Sequence, residues 1–523
     1  MKALWIKIVL LAVALPGVWG NVAAQVTISA DFDTGSIGSV RRIDSVRMLH
    51  AAKNSLEVMS FGIRSRIDPL NPVDTALLPS SRWFHFRLEG VKGKLMFLRI
   101  PNTEMVRPFY SYDGEEYLRF DAGECSLPQT VYKYFLHDTV YVAYFLPYSH
   151  ARHKAKADEW ACSPFVRRQR IGRSGEGRPI EMLILTDATV PDSLKRRVWI
   201  HSRVHTSEAP AAWYLEAMID ELLSDAPLSR EILRRTVFYV VPETNPDGVR
   251  GGYSTAQGVN LEINWDRPDS LTQPEVRVLK RTIDSLSTER PFDVALNLHS
   301  QSAPFVTYWI HTAKSTSAKM YRRKMLLSAL TVAHTPYYRP IDQRFSEAAP
   351  RYAEGWFWQR FGERTLAVTF ETPYTYYNND PAGEWVSRES LAELAHASLL
   401  ALSDLLDLGG SERRQADSER MKGRGKWLRR TAKDRQFFGG SYLVAERKGA
   451  SVSFVFPDVA EGRYEVFKWI PGPLDKKFAR EENRWQPIGE VVQEQAGRLV
   501  WRYQAAAPGD VLDVILLVPK SER

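Results

Sequence analysis

The chain reads Arg203-Val204-His205-Thr206-Ser207-Glu208-Ala209-Pro210-Ala211-Ala212-Trp213 directly after the apolar run Val198-Trp199-Ile200. This pattern predicts a strand, a short turn and a helix that begins near Pro210. His205 and Glu208 fall in the turn, where a strand end and a helix start can direct both side chains at one point. Imidazole nitrogen and carboxylate oxygen are both ligands of Zn²⁺, so the stretch predicts one half of a zinc site.

Two later apolar runs supply the residues that would complete this site. One predicted strand, 293–298, is followed by His299, and another, 365–370, is followed by Glu371. Ligands of open α/β sheets gather at the carboxyl ends of the strands, so we expect His299 to join His205 and Glu208 as the third metal ligand. Three protein ligands leave one position open, as in catalytic zinc sites. Glu371 then remains as the general base for a zinc-activated water and as the later proton donor to the leaving amine.

The order of these segments resembles the zinc carboxypeptidases of the carboxypeptidase A type. It is most similar to the branch called cytosolic carboxypeptidases, together with their bacterial relatives. In that branch the ligand motif reads His-Pro-Gly-Glu with a following Ser-Trp, similar to 205–208 with Ala212-Trp213 here, and its Asn-Pro-Asp-Gly-Val segment matches 245–249. Segments 31–35, 82–87 and 140–148 resemble the β-domain that precedes the catalytic domain. The resemblance covers residues 26 to 408 and implies a zinc-dependent hydrolase of peptide bonds.

Two departures concern the recognition of the substrate's terminal carboxylate. Where the family has Asp-Leu-Asn-Arg-Asn-Phe, this chain has Asn260-Leu261-Glu262-Ile263-Asn264-Trp265, so Glu262-Ile263 replaces the Asn-Arg pair that grips the carboxylate. A second family arginine follows a Gly-x-Tyr, and here Ser254 follows Gly251-Gly252-Tyr253. The planar fork of arginine is the preferred partner of a carboxylate. We therefore expect Glu262, Ile263 and Ser254 at substrate-binding positions with altered end recognition.

For other residues near the site, the sequence predicts roles less specifically. Asn260 stands where the family has an aspartate bonded to the first histidine, and an amide accepts that bond less strongly. Tyr352 is the nearest candidate for the tyrosine that assists substrate binding in classical relatives. We expect the remaining histidines and tryptophans to be structural rather than to line a cleft: His201, His311, His334, Trp265, Trp309, Trp356 and Trp358.

The N-terminus predicts export. Lys2 and Lys7 precede the apolar run 8–15, and Val22-Ala23-Ala24 offers small residues for cleavage, so 1–24 is predicted to be a signal peptide and the protein secreted or periplasmic. The apolar run is short for an uncleaved anchor, and no other stretch is long and apolar enough to span a bilayer. The two cysteines, Cys125 and Cys162, permit either one disulfide or two free thiols in an exported chain.

Composition and pattern predict an α/β protein with several domains. The 523 residues, 44% hydrophobic and 25% charged, suffice for two or three cores. We expect an antiparallel β-sandwich over 25–165 and a catalytic domain over 166–410, with a mainly parallel mixed sheet and helices on both faces. A basic linker over 411–437 and a small β-sandwich over 438–523 would follow. The linker is predicted to be solvated or to contact an anionic surface or wall polymer, and we expect no nucleic-acid partner for an exported chain.

Three interpretations of function follow from these patterns. The first is a secreted zinc-dependent hydrolase of peptides, cell-wall peptides included, in which Glu262 favours an amino-bearing or amidated end group. The second is an ordinary carboxypeptidase whose carboxylate anchor has moved to Arg250, Arg267 or Arg351. The third is a non-catalytic binding protein that keeps the metal, and the presence of Glu371 argues against it because a pure binder needs no general base.

Overall fold

In the computed structural model, strands and helices alternate from residue 166 to residue 406 around one eight-stranded sheet. The structure describes residues 25–49, 55–72, 78–101, 107–126, 129–406, 408, 414–417, 427–430, 442–470 and 484–520. The predicted signal peptide and most of the predicted basic linker lie outside these residues. Among the described helices, none has the length and apolar character needed to cross a membrane.

The central sheet is mixed, with parallel strands in its middle. Its order is β11-β12-β14-β13-β15-β18-β16-β17, and the β14-β13-β15-β18 pairings are parallel, whereas β11, β12 and β16 pair antiparallel with β12, β14 and β18. The strands are β11 (Val166–Arg173), β12 (Pro179–Leu185), β13 (Arg196–Ser202), β14 (Thr236–Val241), β15 (Val294–Gln301), β16 (Thr307–His311), β17 (Arg344–Ser346) and β18 (Leu366–Pro373).

Helices cover both faces of this sheet, as the apolar runs of its strands predict. The helices are α2 (Ala209–Leu223), α3 (Pro227–Arg235), α4 (Pro246–Arg250), α5 (Pro274–Leu286), α6 (Ala318–His334), α7 (Ala353–Phe361) and α8 (Arg388–Leu406). Ile200, Leu298 and Phe370 pack in one core with α2, α6 and α8. Trp199 and Ala295 point the other way, into a second core with α5 and α7. Successive side chains of a strand alternate between faces, so His299 and Glu371 lie on the α5–α7 face.

Two five-stranded sheets precede the central domain. They have the orders β1-β4-β10-β6-β7 and β2-β3-β5-β9-β8. The strands are β1 (Thr27–Ser29), β2 (Ser39–Leu49), β3 (Ser55–Arg64), β4 (His85–Glu89), β5 (Lys94–Arg99), β6 (Phe109–Ser111), β7 (Leu118–Arg119), β8 (Cys125–Ser126), β9 (Thr130–Tyr134) and β10 (Val140–Ala143). The sandwich is not fully antiparallel, because β3 and β5 pair in parallel. The chain passes through β4 of the other sheet between them, and this crossover permits the parallel pairing.

The segment predicted to be only β-structure also contains a helix, α1 (His150–Trp160), between the N-terminal sheets and the central sheet. The Ser149 side chain caps it by accepting a hydrogen bond from the backbone N–H of Arg152. His153, Ala157 and Trp160 are its buried residues. Cys125 and Cys162 are free thiols, so the disulfide alternative is not realised in the structure.

The C-terminal strands form three small sheets, with the orders β19-β27-β23-β24, β20-β21-β26 and β22-β25. They are β19 (Arg414–Asp417), β20 (Trp427–Arg430), β21 (Tyr442–Ala445), β22 (Ser451–Val459), β23 (Gly462–Ile470), β24 (Arg484–Gln493), β25 (Gly497–Gln504), β26 (Val511–Leu512) and β27 (Val514–Pro519). Two of these strands fall in the segment predicted to be a solvated linker. These two strands, β19 and β20, pair with β27 and β21, so part of the basic segment belongs to the C-terminal sheets.

Candidate metal centre and cleft

The turn between β13 and α2 holds the first two candidate ligands. Arg203 turns the chain with a φ of 58°, and its guanidinium donates hydrogen bonds to the backbone oxygens of Tyr148 and Thr206. The backbone N–H groups of Thr206 and Ser207 donate to the oxygens of Thr255 and Ser254. The turn is therefore fixed on both sides, and Glu208 stands at the N-cap position of α2.

The three predicted ligands converge on one point. The Nδ1 atoms of His205 and His299 lie 2.9 Å from Oε1 and Oε2 of Glu208, respectively. One ligand atom from each residue lies within 4.8 Å of the others, and Glu208 and His299 are buried. Burial alone would raise the pKa of Glu208, but His205 and His299 outweigh it and hold that pKa below its ordinary value. The arrangement keeps a carboxylate between two imidazoles in a dry environment.

The outer ring nitrogens of both histidines also lie near side-chain oxygens. His205 Nε2 forms a hydrogen bond of 3.1 Å with Oδ1 of Asn260, whereas His299 Nε2 lies 3.2 Å from Oε2 of Glu262 at ion-pair distance, without the geometry of a hydrogen bond. A neutral imidazole has one N–H, so donation from Nε2 leaves a lone pair on Nδ1. Two such lone pairs and a carboxylate then face each other, an arrangement that a cation stabilises. Two nitrogens and one oxygen are a donor set that zinc accepts, and three protein ligands leave one position open.

Glu371 lies beside the centre on the neighbouring strand, because β15 and β18 pair with His299 opposite Glu371. The indole N–H of Trp309 donates to its Oε1 over 3.2 Å. Burial raises the pKa of Glu371 to about 7, while His299 and the Trp309 hydrogen bond act in the lowering direction. A carboxyl group with a pKa near neutrality is suited to taking and returning a proton.

Glu262 belongs to a buried network beside the centre. It lies in the 3₁₀-helix Leu261–Ile263, and the side-chain amide of Asn297 donates to both of its oxygens and to Oε1 of Glu354. The pKa of Glu262 is below its usual range: burial would raise it, and His299 outweighs burial. Burial and the neighbouring Glu262 raise the pKa of Glu354. Glu262 is thus a carboxylate held by the Asn297 amide and lying close to His299.

A cavity of about 270 Å³ opens over the centre. Four of its lining residues carry carboxyl groups, and no lysine or arginine is among those lining residues. The carboxyl groups belong to Glu262, Glu347, Glu354 and Glu371; the other lining residues are His205, His299, Trp309, His311, Ser346, Tyr352 and Thr369. Behind the wall, Lys324 is buried with Nζ 2.8 Å from Nδ1 of His311. Burial lowers the pKa of Lys324 to about 7, so near neutral pH this buried amine is held close to the point at which it loses its charge.

Two predicted substrate-binding residues do not line this cavity. The Ser254 hydroxyl accepts the backbone N–H of Trp83, and the Ser254 N–H donates to Asp68, so this residue joins the ligand turn to the N-terminal domain. Ile263 follows Glu262 in a 3₁₀-helix, where successive side chains point about 120° apart, and it therefore points elsewhere. Arg250 and Arg267 are also absent from the lining.

The third candidate arginine lies close to the cavity. Arg351 Nη2 donates over 2.8 Å to the hydroxyl of Tyr352, and its guanidinium carbon lies 4.9 Å from the Tyr352 ring centre. Tyr352 itself lines the cavity at the N-cap of α7. The structure thus places Tyr352 with Glu262, His299 and Glu371, and Arg351 next to it.

Sequence reasoning missed several residues of the cleft. Trp309 and His311 were expected to be structural, yet both line the cavity; Trp265 and Trp356 are buried in the second core as expected. The sequence does carry a signal for Trp309 and His311. They lie two residues apart on β16 and so share a face, and Trp309 pairs with Thr369 of β18, two residues before Glu371. Glu354 lies on α7, and no local pattern relates it to Glu262, 92 positions earlier.

Comparison with known proteins identifies this domain. Residues 155–376 match the zinc carboxypeptidase family. An uncharacterised protein of Zymomonas mobilis is 23% identical over 346 residues, which are 62% of this chain and 88% of that protein. Cytosolic carboxypeptidase 6 of Mus musculus is 24% identical over 312 residues, 53% of this chain and 54% of the mouse protein. The chain thus spans about half the length of that named relative.

The fold agrees with this match. The structure of a metallo-carboxypeptidase from Burkholderia cenocepacia superposes with a TM-score of 0.58 at 25% identity, over 73% of this chain and 99% of that one. A putative carboxypeptidase A from Shewanella denitrificans gives a TM-score of 0.58 at 24% identity, over 73% and 99%. Residues 155–376 therefore form a zinc carboxypeptidase-like domain, and the fold is similar to that of metallo-carboxypeptidases.

Proposed function

We propose that the protein is a zinc-dependent peptidase in which His205, Glu208 and His299 hold the metal and Glu371 is the general base. The observation that carries the proposal is the convergence of these three side chains beneath a cavity that Glu371 also lines. A bound zinc ion would supply a Lewis acid that polarises the scissile carbonyl and lowers the pKa of water to about 7. Glu371 takes the proton from the attacking water and later gives it to the leaving amine.

The end group that the cavity accepts is proposed from its charge. Glu262, Glu347 and Glu354 line the cavity together with the general base, and a substrate carboxylate close to them would be repelled. An amino or carboxamide group donates hydrogen bonds that carboxyl groups accept. We propose a peptide with an amino-bearing or amidated end group, for which cell-wall peptides with diamino acids are one source.

A matched substrate series tests this specificity. Acyl-dipeptides that differ only in the last residue, Leu, Glu, Lys or Lys-amide, should show the highest kcat/KM for Lys and Lys-amide in the zinc-loaded protein. A preference for Glu would overturn the proposed end group while leaving the peptidase assignment intact. Failure to cleave any member, with zinc bound, would favour the non-catalytic alternative.

One observation supports a second candidate, an ordinary carboxypeptidase with a relocated anchor. Arg351 lies against Tyr352 at the cavity and is exposed, so its guanidinium lies near the place of the end group. Under this candidate Arg351→Gln should raise KM for peptides with a free carboxylate and leave their amides unchanged. Under the leading proposal Arg351→Gln should change neither class selectively. The exposed Arg360 of α7 offers a matched control, Arg360→Gln.

We propose further that the chain is exported and that its basic segment contacts an anionic surface or wall polymer. The charged start and apolar run of 1–24 support export. Many basic residues between 413 and 435 support the surface contact: Arg413, Arg414, Arg420, Lys422, Arg424, Lys426, Arg429, Arg430, Lys433 and Arg435. N-terminal sequencing of the protein from its native source tests export, since a mature chain that begins with Met1 would contradict it. Salt-dependent binding to anionic polymer tests the contact.

A further inference from the structure

His299 is in contact with two carboxylates, one at each ring nitrogen. Nδ1 lies 2.9 Å from Glu208 Oε2, and Nε2 lies 3.2 Å from Glu262 Oε2. All three side chains are buried, with exposed fractions of 3% for His299, 4% for Glu208 and 8% for Glu262. The two carboxylates therefore lie on opposite sides of the imidazole ring and limit its orientation.

The outer nitrogen of the other histidine, His205, faces a neutral group rather than a carboxylate. His205 Nε2 faces Oδ1 of Asn260, a neutral amide oxygen that also accepts the backbone N–H of Glu262. A hydrogen bond to a carboxylate is about twice as strong as one between neutral groups. The stronger acceptor outside the candidate metal centre thus belongs to His299, and it comes from Glu262.

We propose that Glu262 is a positioning residue of the metal centre: its carboxylate, 3.2 Å from Nε2 of His299, holds the ring proton on that nitrogen when zinc is bound and thereby keeps the Nδ1 lone pair directed at the metal. This proposal rests on the proposed zinc site. Acceptors of this kind fix the tautomer and raise the basicity of a ligating histidine. The role differs from the substrate-binding role that its sequence position predicted.

The surroundings of Glu262 hold it toward His299. Its backbone is fixed in the 3₁₀-helix capped by Asn260, and the Asn297 amide donates to both carboxylate oxygens at 3.0 and 3.1 Å. The same amide donates to Glu354 Oε1 at 3.0 Å.

Zinc affinity tests this role without reference to activity. Glu262→Gln keeps the shape of the side chain and removes its charge. The matched control is Glu354→Gln, because both glutamates line the cavity and accept from Asn297, whereas only Glu262 contacts a histidine in the described contacts. Competition with a chelator should show about 10–100-fold weaker zinc binding for Glu262→Gln and unchanged binding for Glu354→Gln. Equal affinities for the two variants and the natural protein would overturn the positioning role.

A spectroscopic readout decides the same question in the natural protein, even where Glu262→Gln does not fold. With ¹⁵N-labelled histidine in the zinc-loaded protein, the His299 signal should show its proton on Nε2. A proton on Nδ1 would overturn the proposal. In the Glu262→Gln background, Asn260→Asp should restore part of the lost affinity by giving His205 a charged acceptor, and absence of any rescue would also contradict the account. If the natural protein binds no zinc at all, the proposed function fails instead.

Discussion

The indole N–H of Trp309 donates a hydrogen bond to Oε1 of Glu371 over 3.2 Å, across the antiparallel pair β16–β18. Glu371 acts as a base only when deprotonated, so activity should rise with pH through its pKa, for which burial gives a value of about 7. The Trp309 bond stabilises the carboxylate. Trp309→Phe removes it, and the acidic limb of the kcat/KM profile should move to higher pH. Trp358→Phe, a half-buried tryptophan of α7 outside the cavity lining, is the control, and an unmoved limb in Trp309→Phe would refute this role.

Glu371 itself provides a second prediction. Glu371→Gln should fold and bind zinc like the natural protein but lose at least ~10²-fold in kcat, since a positioned general acid-base group contributes about that much. Turnover is measured on protein with verified metal content. Unchanged kcat in metal-loaded Glu371→Gln would exclude the general-base role.

Asp68 connects the N-terminal domain to the loop that supports the ligands. Its carboxylate accepts the backbone N–H groups of Ser254, Thr255 and Ala256 at 2.9, 2.7 and 3.3 Å. Asp68→Ala leaves buried donors without a partner, at a cost of about 1–3 kcal/mol each. We expect a lower Tm and weaker zinc binding, because the Thr255 and Ser254 oxygens hold the ligand turn. Asp113→Ala, in an exposed turn, is the control; an equal effect of the two substitutions would contradict the connection.

Gly248 allows α4 to approach the ligand turn. A Cβ at this position would lie 2.4 Å from Thr206 Cγ2. Gly248→Ala should therefore displace Thr206 and reduce zinc affinity, as measured by chelator competition. Gly123→Ala, where an added Cβ meets nothing within 4 Å, should leave the affinity unchanged. Natural zinc affinity in Gly248→Ala would show that the close approach is not required.

The sequence predicted the secondary structure of the central domain more fully than it predicted the contacts within the candidate site. The pattern after Glu208 predicted a helix that begins near Pro210, and the structure has α2 over Ala209–Leu223. Helix α1 was missed because charged residues dominate it, although Ser149 and the spacing of Ala157 and Trp160 carry a signal. Local periodicity reports which face of an element is buried, and it predicted the cores well for that reason.

The environment of Glu262 could not be predicted in the same way. Its partners, Asn297 and His299, lie on β15, and Glu354 lies on α7, so only the folded chain brings these residues together. Ser254 is a second example: its position in the motif predicted substrate binding, whereas in the folded chain it forms hydrogen bonds with Trp83 and Asp68. A motif specifies order along the chain, whereas a contact depends on long-range packing.

The zinc content of the purified protein tests the central claim most directly. After loading and exhaustive dialysis, elemental analysis should find about one zinc per natural chain, as a three-ligand site requires. His299→Ala should abolish stoichiometric binding, because it removes one of three ligands from a site whose donor atoms lie within 4.8 Å of one another. Stoichiometric zinc in a variant with alanine at 205, 208 and 299 together would contradict the assignment of the metal centre.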